Sequence, residues 1–352
     1  MSFSRAGRPS SKPDMITAQS LPTQPVPAAP RWQALWRDAV RDPHELLALL
    51  GLPALAARLP AAATQQFPLR VPRGFVARMR PGDPDDPLLR QVLPLDDEDR
   101  IVPGFDLDAV GDGAARGGPG IIHKYAGRAL LVATGSCAVH CRYCFRRHFP
   151  YAEETAAADR WRAALEWLAA DTSIDEVLLS GGDPLSLATG KLAEFSEGLR
   201  ALPHVRRLRI HTRLPIVLPE RVDAELLAWL SSLPQQRVVV VHANHGNEID
   251  AATAKALAAL RDTGATLFNQ AVLLRGVNDD AGVLAELSER LFAAGTLPYY
   301  LHQLDRVAGT AHFEVAPERA RTLHAELAAR LPGYLLPRLV REVAGAASKL
   351  PL

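Results

Sequence analysis

From residue 129 onward, the sequence alternates short apolar segments with amphipathic stretches, and this alternation restricts the possible folds more than any other feature. The apolar segments have the length of buried strands, and helical periodicity separates most of them. They span residues 129–134, 176–180, 207–213, 237–243, 265–274 and 298–305. Strands that alternate with helices predict the α/β class, with a parallel sheet and right-handed crossovers. Six units rather than eight predict a partial, TIM-like (β/α)6 barrel, with a doubly wound sheet as the alternative.

Polar residues and two glycines gather at the predicted carboxyl ends of these strands. They are Gly181, Gly182, Asp183, His211, Arg213, His242, Asn244, Asn269, Gln270, His302 and Asp305. Catalytic groups of parallel α/β proteins collect on the loops that follow the strands. A single histidine in such a place is more often structural, but five strand ends that all carry polar groups predict a site at the mouth of the barrel.

Three segments flank the predicted barrel core, which we place at residues 121–330. Residues 1–30 are rich in Pro, Ser and Ala and lack apolar periodicity, so they are predicted to be a disordered tail. Residues 31–120 combine short helical patterns with turn-forming Pro, Gly and Asp, and they predict an extension of helices and loops. Residues 331–352 form a C-terminal segment.

The charge balance and the apolar content argue against two classes of partner. The chain has 352 residues, with 40 Lys plus Arg against 39 Asp plus Glu and a formal net charge of +1. This near-neutral balance gives no support for electrostatic binding of nucleic acid. No run of about 18 apolar residues occurs, so a membrane-spanning helix is not predicted. Neither a nucleic acid nor a membrane is therefore expected as a partner.

The chain contains only three cysteines, Cys137, Cys141 and Cys144, in one window directly after the first core strand. An odd, clustered set is not a disulfide framework, and it indicates a metal site in a reducing compartment such as the cytoplasm. Three thiolates on one loop can bind three irons of a cubic iron–sulfur cluster and leave the fourth iron open to a ligand. A zinc site completed by His140 or His148 is the alternative, although zinc sites usually pair two separated ligand knuckles.

The spacing Cys-x3-Cys-x2-Cys, with an aromatic residue before the last cysteine, resembles the radical S-adenosylmethionine (SAM) signature. Longer stretches are similar to the lysine 2,3-aminomutase family: HKYAGRALLVATGSCAVHCRYCFRRHFPY, LLSGGDPL, RLRIHTRLPIVLP, NQAVLLRGVND and PYYLHQLD. Two others resemble the branch of that family that makes β-lysine for bacterial elongation factor P (EF-P): FVARMRPGDPDDPLLRQVLP and GYLLPRLVREVAG. The resemblance runs from about residue 32 to the end, and it implies a barrel of the radical SAM type.

The resemblance implies a [4Fe-4S] cluster with SAM on its open iron. The cluster ligands would be Cys137, Cys141 and Cys144. The residues near SAM would be Tyr143, beside its adenine, and the turn of Ser180, Gly181, Gly182 and Asp183. Glycine in that turn would allow close backbone approach to the SAM amino group, although a plain turn after a strand would also suit it. Three strand-end residues match positions near SAM or pyridoxal 5′-phosphate (PLP): Arg213, His242 and Gln270.

The family also uses PLP, which a lysine holds as a Schiff base. Lysine is scarce in this chain, and Lys349 matches that catalytic position, although it lies three residues from the C-terminus, where chains usually fray. Lys124, Tyr125 and Arg128 match positions that line the PLP site. Lys124 replaces an arginine of the family. It is expected to bind phosphate less well, because an ammonium group lacks the bidentate geometry of a guanidinium.

Three residues match positions that bind the substrate. Arg146 matches the residue that binds the substrate carboxylate, a bidentate task suited to guanidinium. Asp305 and Glu342 match two acidic positions that hold the distal ammonium, which favours lysine over glutamate. The implied function is an L-lysine 2,3-aminomutase, an isomerase that converts (S)-α-lysine to (R)-β-lysine for β-lysylation of EF-P. Such an enzyme would need an electron donor, and the β-lysine ligase of EF-P would use its product.

Two other functions remain open at this point. One is a free-lysine 2,3-aminomutase of metabolism, and the other is a non-catalytic module that binds a cluster or zinc. The larger mutases carry additional cysteines for a structural zinc site between subunits, and Asp280 stands at one of these positions. That zinc site and the tetramer it supports are therefore not expected, which leaves the question of a homo-oligomer open.

Overall fold

A single sheet of ten strands forms the centre of the computed structural model, which describes residues 1–2, 31–60 and 67–352. Apart from its first two residues, the predicted disordered tail lies outside the described residues. The strands follow one another in chain order: β1 (Arg116–Gly118), β2 (Ile121–Tyr125), β3 (Arg128–Thr134), β4 (Glu176–Gly181), β5 (Arg207–Thr212), β6 (Gln236–Val241), β7 (Thr266–Val272), β8 (Leu297–His302), β9 (Arg338–Arg341) and β10 (Leu350–Pro351).

The pairing of the strands is that of an open barrel. Strands β3 to β9 are parallel to one another, and β1, β2 and β10 pair antiparallel at the two edges. The six predicted strand–helix units correspond to β3 to β8, so the predicted α/β class with a parallel sheet is confirmed, and β9 adds a seventh parallel strand. In the described part of the chain, β1 pairs only with β2 and β10 only with β9, so the two edges do not close.

Helices cover the outside of the sheet and form the N-terminal extension. In the described ranges the α-helices are α1 (Arg31–Arg37), α2 (Pro43–Leu50), α3 (Arg73–Val76), α4 (Pro87–Arg90), α5 (Arg162–Ala170), α6 (Thr189–Leu199), α7 (Leu214–Val217), α8 (Ala224–Ser232), α9 (Ala251–Asp262), α10 (Ala281–Ala293) and α11 (Pro317–Ala328). Short 3-10 helices span Pro53–Arg58, Asp96–Asp99, Gly113–Ala115, Pro184–Ser186, Pro219–Arg221, Gly246–Glu248, Ala311–Phe313 and Gly333–Leu335.

Local sequence explains where several of these helices begin and end. Helix α2 begins after Asp42, whose carboxylate accepts a hydrogen bond from the backbone N–H of His44, and it ends at Gly51 with a φ of 67°. Asp250 caps α9 by accepting a hydrogen bond from the backbone N–H of Thr253. Asp280 accepts from two backbone N–H groups at the start of α10. A helix cap therefore accounts for this aspartate.

The N-terminal extension and the barrel share one hydrophobic core. Trp32 and Phe75 of the extension belong to the same buried cluster as Leu131 and Leu179 of the sheet. Sheet pairing also extends past both predicted borders of the core, since β1 precedes residue 121 and β9 follows residue 330. The predicted division into segments stays a prediction. None of the helices that the structure describes is long and apolar enough to cross a membrane.

Candidate active site

Residues from strands β2 to β9 and from the loops after them line a cavity of about 530 Å³. All of the predicted site residues except Cys137 lie on its wall. They are Lys124, Tyr125, Arg128, Cys141, Tyr143, Cys144, Arg146, Ser180, Gly181, Gly182, Asp183, Arg213, His242, Gln270, Asp305, Glu342 and Lys349. Residues separated by more than 200 positions in the chain therefore meet at one place.

The N-terminal extension holds the backbone of the cysteine loop. Trp36 Nε1 and Arg70 Nη1 both donate to the carbonyl oxygen of Cys137, at 3.2 and 3.3 Å. The backbone N–H of Cys144 donates to the carbonyl oxygen of Cys141 at 3.0 Å and closes a turn between these two cysteines. The conformation of the loop thus depends on residues that precede the barrel.

A buried ion cluster ties the same loop to the extension. The Glu98 carboxylate accepts from Arg142 Nε and Nη2 at 2.7 and 2.5 Å, and from Arg147 Nη2 at 2.7 Å. The Glu98 and Arg142 side chains are fully buried, and the Phe67 ring lies about 5 Å from both guanidinium groups. Sequence reasoning missed Glu98, because nothing in its acidic run distinguishes a buried carboxylate from solvated ones.

The three thiols fit a metal group that binds thiolates. Burial raises the pKa of Cys144 to about 11, and the neighbouring Cys141 adds to this rise. Burial also raises the pKa of Cys137 well above its usual value, with contributions from Asp183 and the other two thiols. All three cysteines are free and half-buried. Because they are close enough to interact and share a buried setting, this donor set suits an iron–sulfur cluster.

The two histidines of the zinc alternative are engaged elsewhere. His140 Nδ1 lies 2.8 Å from the carbonyl oxygen of Pro68, and its ring stacks on Phe67. His148 Nε2 lies 3.1 Å from the carbonyl oxygen of Ala308. Within the described ranges, no three His, Cys, Asp or Glu side chains are grouped so that they could hold one metal ion.

The turn after β4 requires its two glycines. Gly181 has a φ of +115°, and a Cβ there would lie 2.8 Å from the carbonyl oxygen of Thr134. A Cβ on Gly182 would lie 2.5 Å from the carbonyl oxygen of Ser136, in the cysteine loop. Packing against the end of β3 and the cysteine loop is thus a reason for glycine here that does not involve SAM.

Asp183 joins this turn to the end of β5. Its carboxylate accepts from the Thr212 hydroxyl at 2.7 Å and from the backbone N–H groups of Arg213, Leu214 and Leu185 at 2.7 to 3.0 Å. Burial raises the pKa of Asp183 to about 6, and these donors oppose the rise. These contacts indicate that Asp183 fixes the loop that carries Arg213.

Arg213 lies directly against the cysteine loop. Its Nη1 is 2.7 Å from Cys141 Sγ and 2.5 Å from the Tyr143 hydroxyl. Its Nη2 donates to Gln91 Oε1 at 2.7 Å and to Glu248 Oε2 at 2.9 Å. Gln91 and Glu248 are fully buried, and sequence reasoning missed both. Glu248 follows β6 closely enough for a strand-end search to find it, whereas Gln91 lies in the extension, within a stretch that resembles the family but does not mark it as a site residue.

Imidazole rings at the strand ends are buried and neutral. Burial lowers the pKa of His242 to about 4, and the charges of Arg213 and Lys349 add to the effect. Burial also lowers the pKa of His211 and of His302 well below the usual value. His211 Nδ1 lies 3.3 Å from His242 Nε2. These rings give the cavity a polar wall without charge.

Lys349 is held in place by a short terminal hairpin. Strand β10 pairs with β9, where Leu350 faces Arg341, and the Leu352 N–H donates to the carbonyl oxygen of Leu339 at 3.2 Å. The chain end is therefore paired, although its position in the sequence is typical of fraying. Pairing brings Lys349 to the cavity wall.

Glu342 is the centre of the contacts around Lys349. Its carboxylate accepts from Lys349 Nζ at 2.6 Å and from the Tyr125 hydroxyl at 2.5 Å. Burial opposes ionisation of Glu342, but Lys349 and Tyr125 outweigh it and lower the pKa. Burial raises the pKa of Asp305 to about 7, with Lys349 opposing and Glu342 contributing to the rise. Two acidic groups and one amine thus share this part of the wall.

Asp112 connects two cationic groups of the predicted site. Its carboxylate accepts from Arg146 Nε at 2.7 Å, and Lys124 Nζ lies 2.7 Å from its other oxygen. Arg146 Nη1 also donates to Ser180 Oγ at 3.0 Å. Burial opposes ionisation of Asp112, but Arg146 and Lys124 outweigh it and lower the pKa. Sequence reasoning missed Asp112, which lies in a loop before the sheet without a motif.

The chain is similar to known proteins over nearly its whole length. Residues 131–287 match the model of the Radical SAM superfamily. The L-lysine 2,3-aminomutase of Escherichia coli K12 is 49% identical over 93% of this chain and 96% of its own length. The L-lysine 2,3-aminomutase of Haemophilus influenzae is 44% identical over 94% of this chain and 98% of its own length.

More distant matches were also found. The L-lysine 2,3-aminomutase of Clostridium subterminale is 31% identical over 92% of this chain and 77% of its own length. Streptococcus suis SuiB bound to S-adenosylmethionine matches 62% of this chain and 51% of its own, with 12% identity and a TM-score of 0.45, which is too low to support an argument. From the matches at 44% and 49% identity over nearly the whole of both chains, this protein belongs to the L-lysine 2,3-aminomutase family of the radical SAM superfamily.

Proposed function

We propose that this protein is an L-lysine 2,3-aminomutase that binds a [4Fe-4S] cluster, SAM and PLP and converts (S)-α-lysine to (R)-β-lysine. The observation that carries the proposal is one cavity lined by cysteines of the cluster motif and by Lys349. When bound, the cluster with SAM supplies a carbon-centred radical, and PLP supports migration of the substrate amine to the neighbouring carbon. The residues of the chain have to bind, orient and enclose these groups.

The surroundings of Lys349 suit attachment of PLP. An amine that attacks an aldehyde must first lose its proton, and the Glu342 carboxylate, 2.6 Å from Lys349 Nζ, is placed to accept it. Lys124 and Arg128 line the same cavity and provide positive charge for a phosphate. The Arg128 guanidinium lies 5.2 Å from the centre of the Tyr125 ring, a contact that keeps it at the wall.

Opposite charges on the cavity wall suit a diamino acid. Arg146 would bind the substrate carboxylate; its Nε and Nη1 contact Asp112 and Ser180, so the carboxylate would use Nη2 or displace Ser180. Asp305 and Glu342 would bind the distal ammonium. Glutamate would place a second carboxylate against these two acids, and the repulsion disfavours it.

Apolar side chains complete the wall. Val110, Ile122, Leu130, Leu178 and Leu304 line the cavity between the charged groups. They exclude water from the substrate, which protects a radical from side reactions and strengthens the electrostatic contacts that hold the substrate.

The test of the activity is anaerobic reconstitution of the protein with iron, sulfide, SAM, PLP and a low-potential reductant. Incubation with L-lysine should then yield (R)-β-lysine, separated from α-lysine by chiral chromatography and identified by mass spectrometry. L-Glutamate in parallel should give no β-isomer. Absence of β-lysine from protein with a full complement of iron, sulfide and SAM would contradict the proposal.

We further propose that the β-lysine serves the β-lysylation of EF-P in the cytoplasm, with a β-lysine ligase as the next enzyme. The support is the resemblance of residues 75–94 and 333–345 to that branch of the family. Deletion of the gene in its native host should leave EF-P without the added lysyl mass, and β-lysine in the medium should restore it. EF-P that stays modified after deletion would instead favour a free-lysine mutase of metabolism.

A further inference from the structure

We propose that Arg213 sets the reduction potential of the iron–sulfur cluster, and that Gln91 and Glu248 are the positioning residues that hold its guanidinium against Cys141. The inference rests on the proposed cluster site. It assigns to Arg213 a role toward the cysteine loop, in addition to the predicted position near SAM or PLP, and it assigns a role to two buried residues that were not predicted as site residues.

Arg213 forms contacts on both sides of its guanidinium. Nη1 contacts Cys141 Sγ at 2.7 Å, whereas Nη2 donates to Gln91 and Glu248 at 2.7 and 2.9 Å. The Arg213 side chain is 7% exposed and the Glu248 side chain is 0% exposed, so water does not screen the pair. The ion pair presents its positive side to the thiol and its negative side away from it.

The two positioning residues are themselves fixed from several directions. Glu248 Oε1 accepts from Gln91 Nε2 at 3.1 Å and from the backbone N–H groups of Asn244 and His245 at 2.8 and 3.1 Å. Gln91 Oε1 also accepts from Asn244 Nδ2 at 3.0 Å. The backbone carbonyl of Gln91 accepts from the N–H of Arg142, inside the cysteine loop, at 2.9 Å. The residues that support Arg213 and the residues of the cysteine loop therefore belong to one network of hydrogen bonds.

One donor of the same guanidinium has no partner. Arg213 Nε is buried and forms no hydrogen bond with any residue that the structure describes. A buried guanidinium nitrogen without an acceptor is costly, and it indicates a donor kept for a group that the chain itself does not provide. An electron-rich group at the cysteine loop would satisfy it.

Electrostatics give the direction of the effect. One-electron reduction of a [4Fe-4S] cluster from the 2+ to the 1+ state by a low-potential donor adds one negative charge. A fixed cation and an N–H donor at a ligand sulfur stabilise that charge and raise the potential. Glu248 lies on the far side of Arg213 from Cys141 and moderates the effect without cancelling it, because the guanidinium is the nearer charge.

The test is a redox titration of the full-length, anaerobically reconstituted protein, monitored by electron paramagnetic resonance of the reduced cluster. Arg213→Gln should shift the midpoint potential to a more negative value, and Arg213→Lys, which keeps the charge, should shift it less. Glu248→Gln removes a negative charge but keeps an acceptor for Arg213 Nη2, so it should shift the potential in the opposite direction. Arg221→Gln is the matched control, since Arg221 is fully buried but donates to Leu185 and Leu187 instead of a cysteine.

The sign of the shifts separates an electrostatic role from a structural one. Loss of packing alone would move all of the variants in the same direction, including the control, and would contradict the inference. An unchanged potential for Arg213→Gln, with iron and sulfide content intact, would also overturn it. If that variant does not assemble a cluster, Arg213→Lys and Glu248→Gln decide the question. Failure of the unsubstituted protein to bind a cluster would instead contradict the proposed function.

Discussion

Two groups of residues on the same cavity wall are held in different ways. The cysteine group, Cys137 to Cys144, is fixed by buried contacts from the N-terminal extension, among them the fully buried pair of Glu98 and Arg142. The second group, Lys349 with Glu342 and Tyr125, is called the Lys349 group. It depends on a two-residue strand at the chain end, and the Lys349 side chain is 26% exposed. The predicted cluster site is therefore held by buried contacts, whereas the Lys349 amine, which would receive PLP, stays accessible to solvent.

This difference predicts that the two groups can be disrupted separately. Substitutions in the cysteine group should remove the cluster and leave PLP binding, and substitutions in the Lys349 group should do the reverse. The predictions that follow test this separation, beginning with the largest expected effect.

Cys144→Ser should abolish β-lysine formation and the bound iron. A hydroxyl of similar size is a poor ligand for this cluster, so the cluster has only two thiolates left. Iron and sulfide analysis with visible absorption measures the loss, and the PLP absorption band should stay. Full iron content in this variant would place the cluster elsewhere.

Lys349→Ala should abolish activity and the visible absorption band of bound PLP, because the other lysine of the cavity wall, Lys124, is paired with Asp112 at 2.7 Å. The cluster absorption should be unchanged. Lys255→Ala, on the exposed face of α9, is the matched control and should retain both bands. A retained PLP band in Lys349→Ala would move the Schiff base to another lysine.

Glu98→Gln should reduce the free energy of unfolding by about 3–5 kcal/mol, because it leaves two buried guanidinium groups without a counter-ion. Urea denaturation followed by circular dichroism measures this change. Glu166→Gln, which alters an exposed residue of α5, should change the stability by less than about 0.5 kcal/mol. Equal stabilities for the two variants would show that the ion cluster does not anchor the cysteine loop.

The affinity for lysine should depend on the protonation of Asp305. Burial raises its pKa from 3.8 to about 7, so the carboxyl is neutral below that pH and attracts an ammonium only above it. The KM for L-lysine should therefore fall as the pH rises through about 7, by at most about tenfold per pH unit. Asp305→Asn should flatten this dependence; an unchanged pH profile in that variant would exclude Asp305 as its source.

More of the fold than of the site could be predicted from the sequence. Hydrophobic periodicity located β3 to β8 within a few residues, because each strand is locally apolar and each helix is amphipathic. The edge strands were missed, because β1 has two glycines and β10 has only two residues, so neither shows periodicity. Their pairing is set by neighbours distant in the chain.

The resemblance to a family predicts residues that would contact the cofactors and the substrate, but not the residues that hold them. Cys141, Arg213 and Lys349 belong to motifs or match positions of the family. Gln91 and Glu98 act through tertiary contacts with the cysteine loop, and a neutral amide or an acidic run carries no local signature of such a contact. These contacts form only in the folded chain.

The central claim is that one cavity holds both the cluster and PLP. Anomalous diffraction at the iron edge, from anaerobic crystals of protein loaded with iron, sulfide and PLP, tests it most directly. The account predicts an iron peak within bonding distance of the sulfurs of Cys137, Cys141 and Cys144, and electron density continuous from Lys349 Nζ to PLP in the same cavity. Iron at another place, or PLP bound to another lysine, would contradict it.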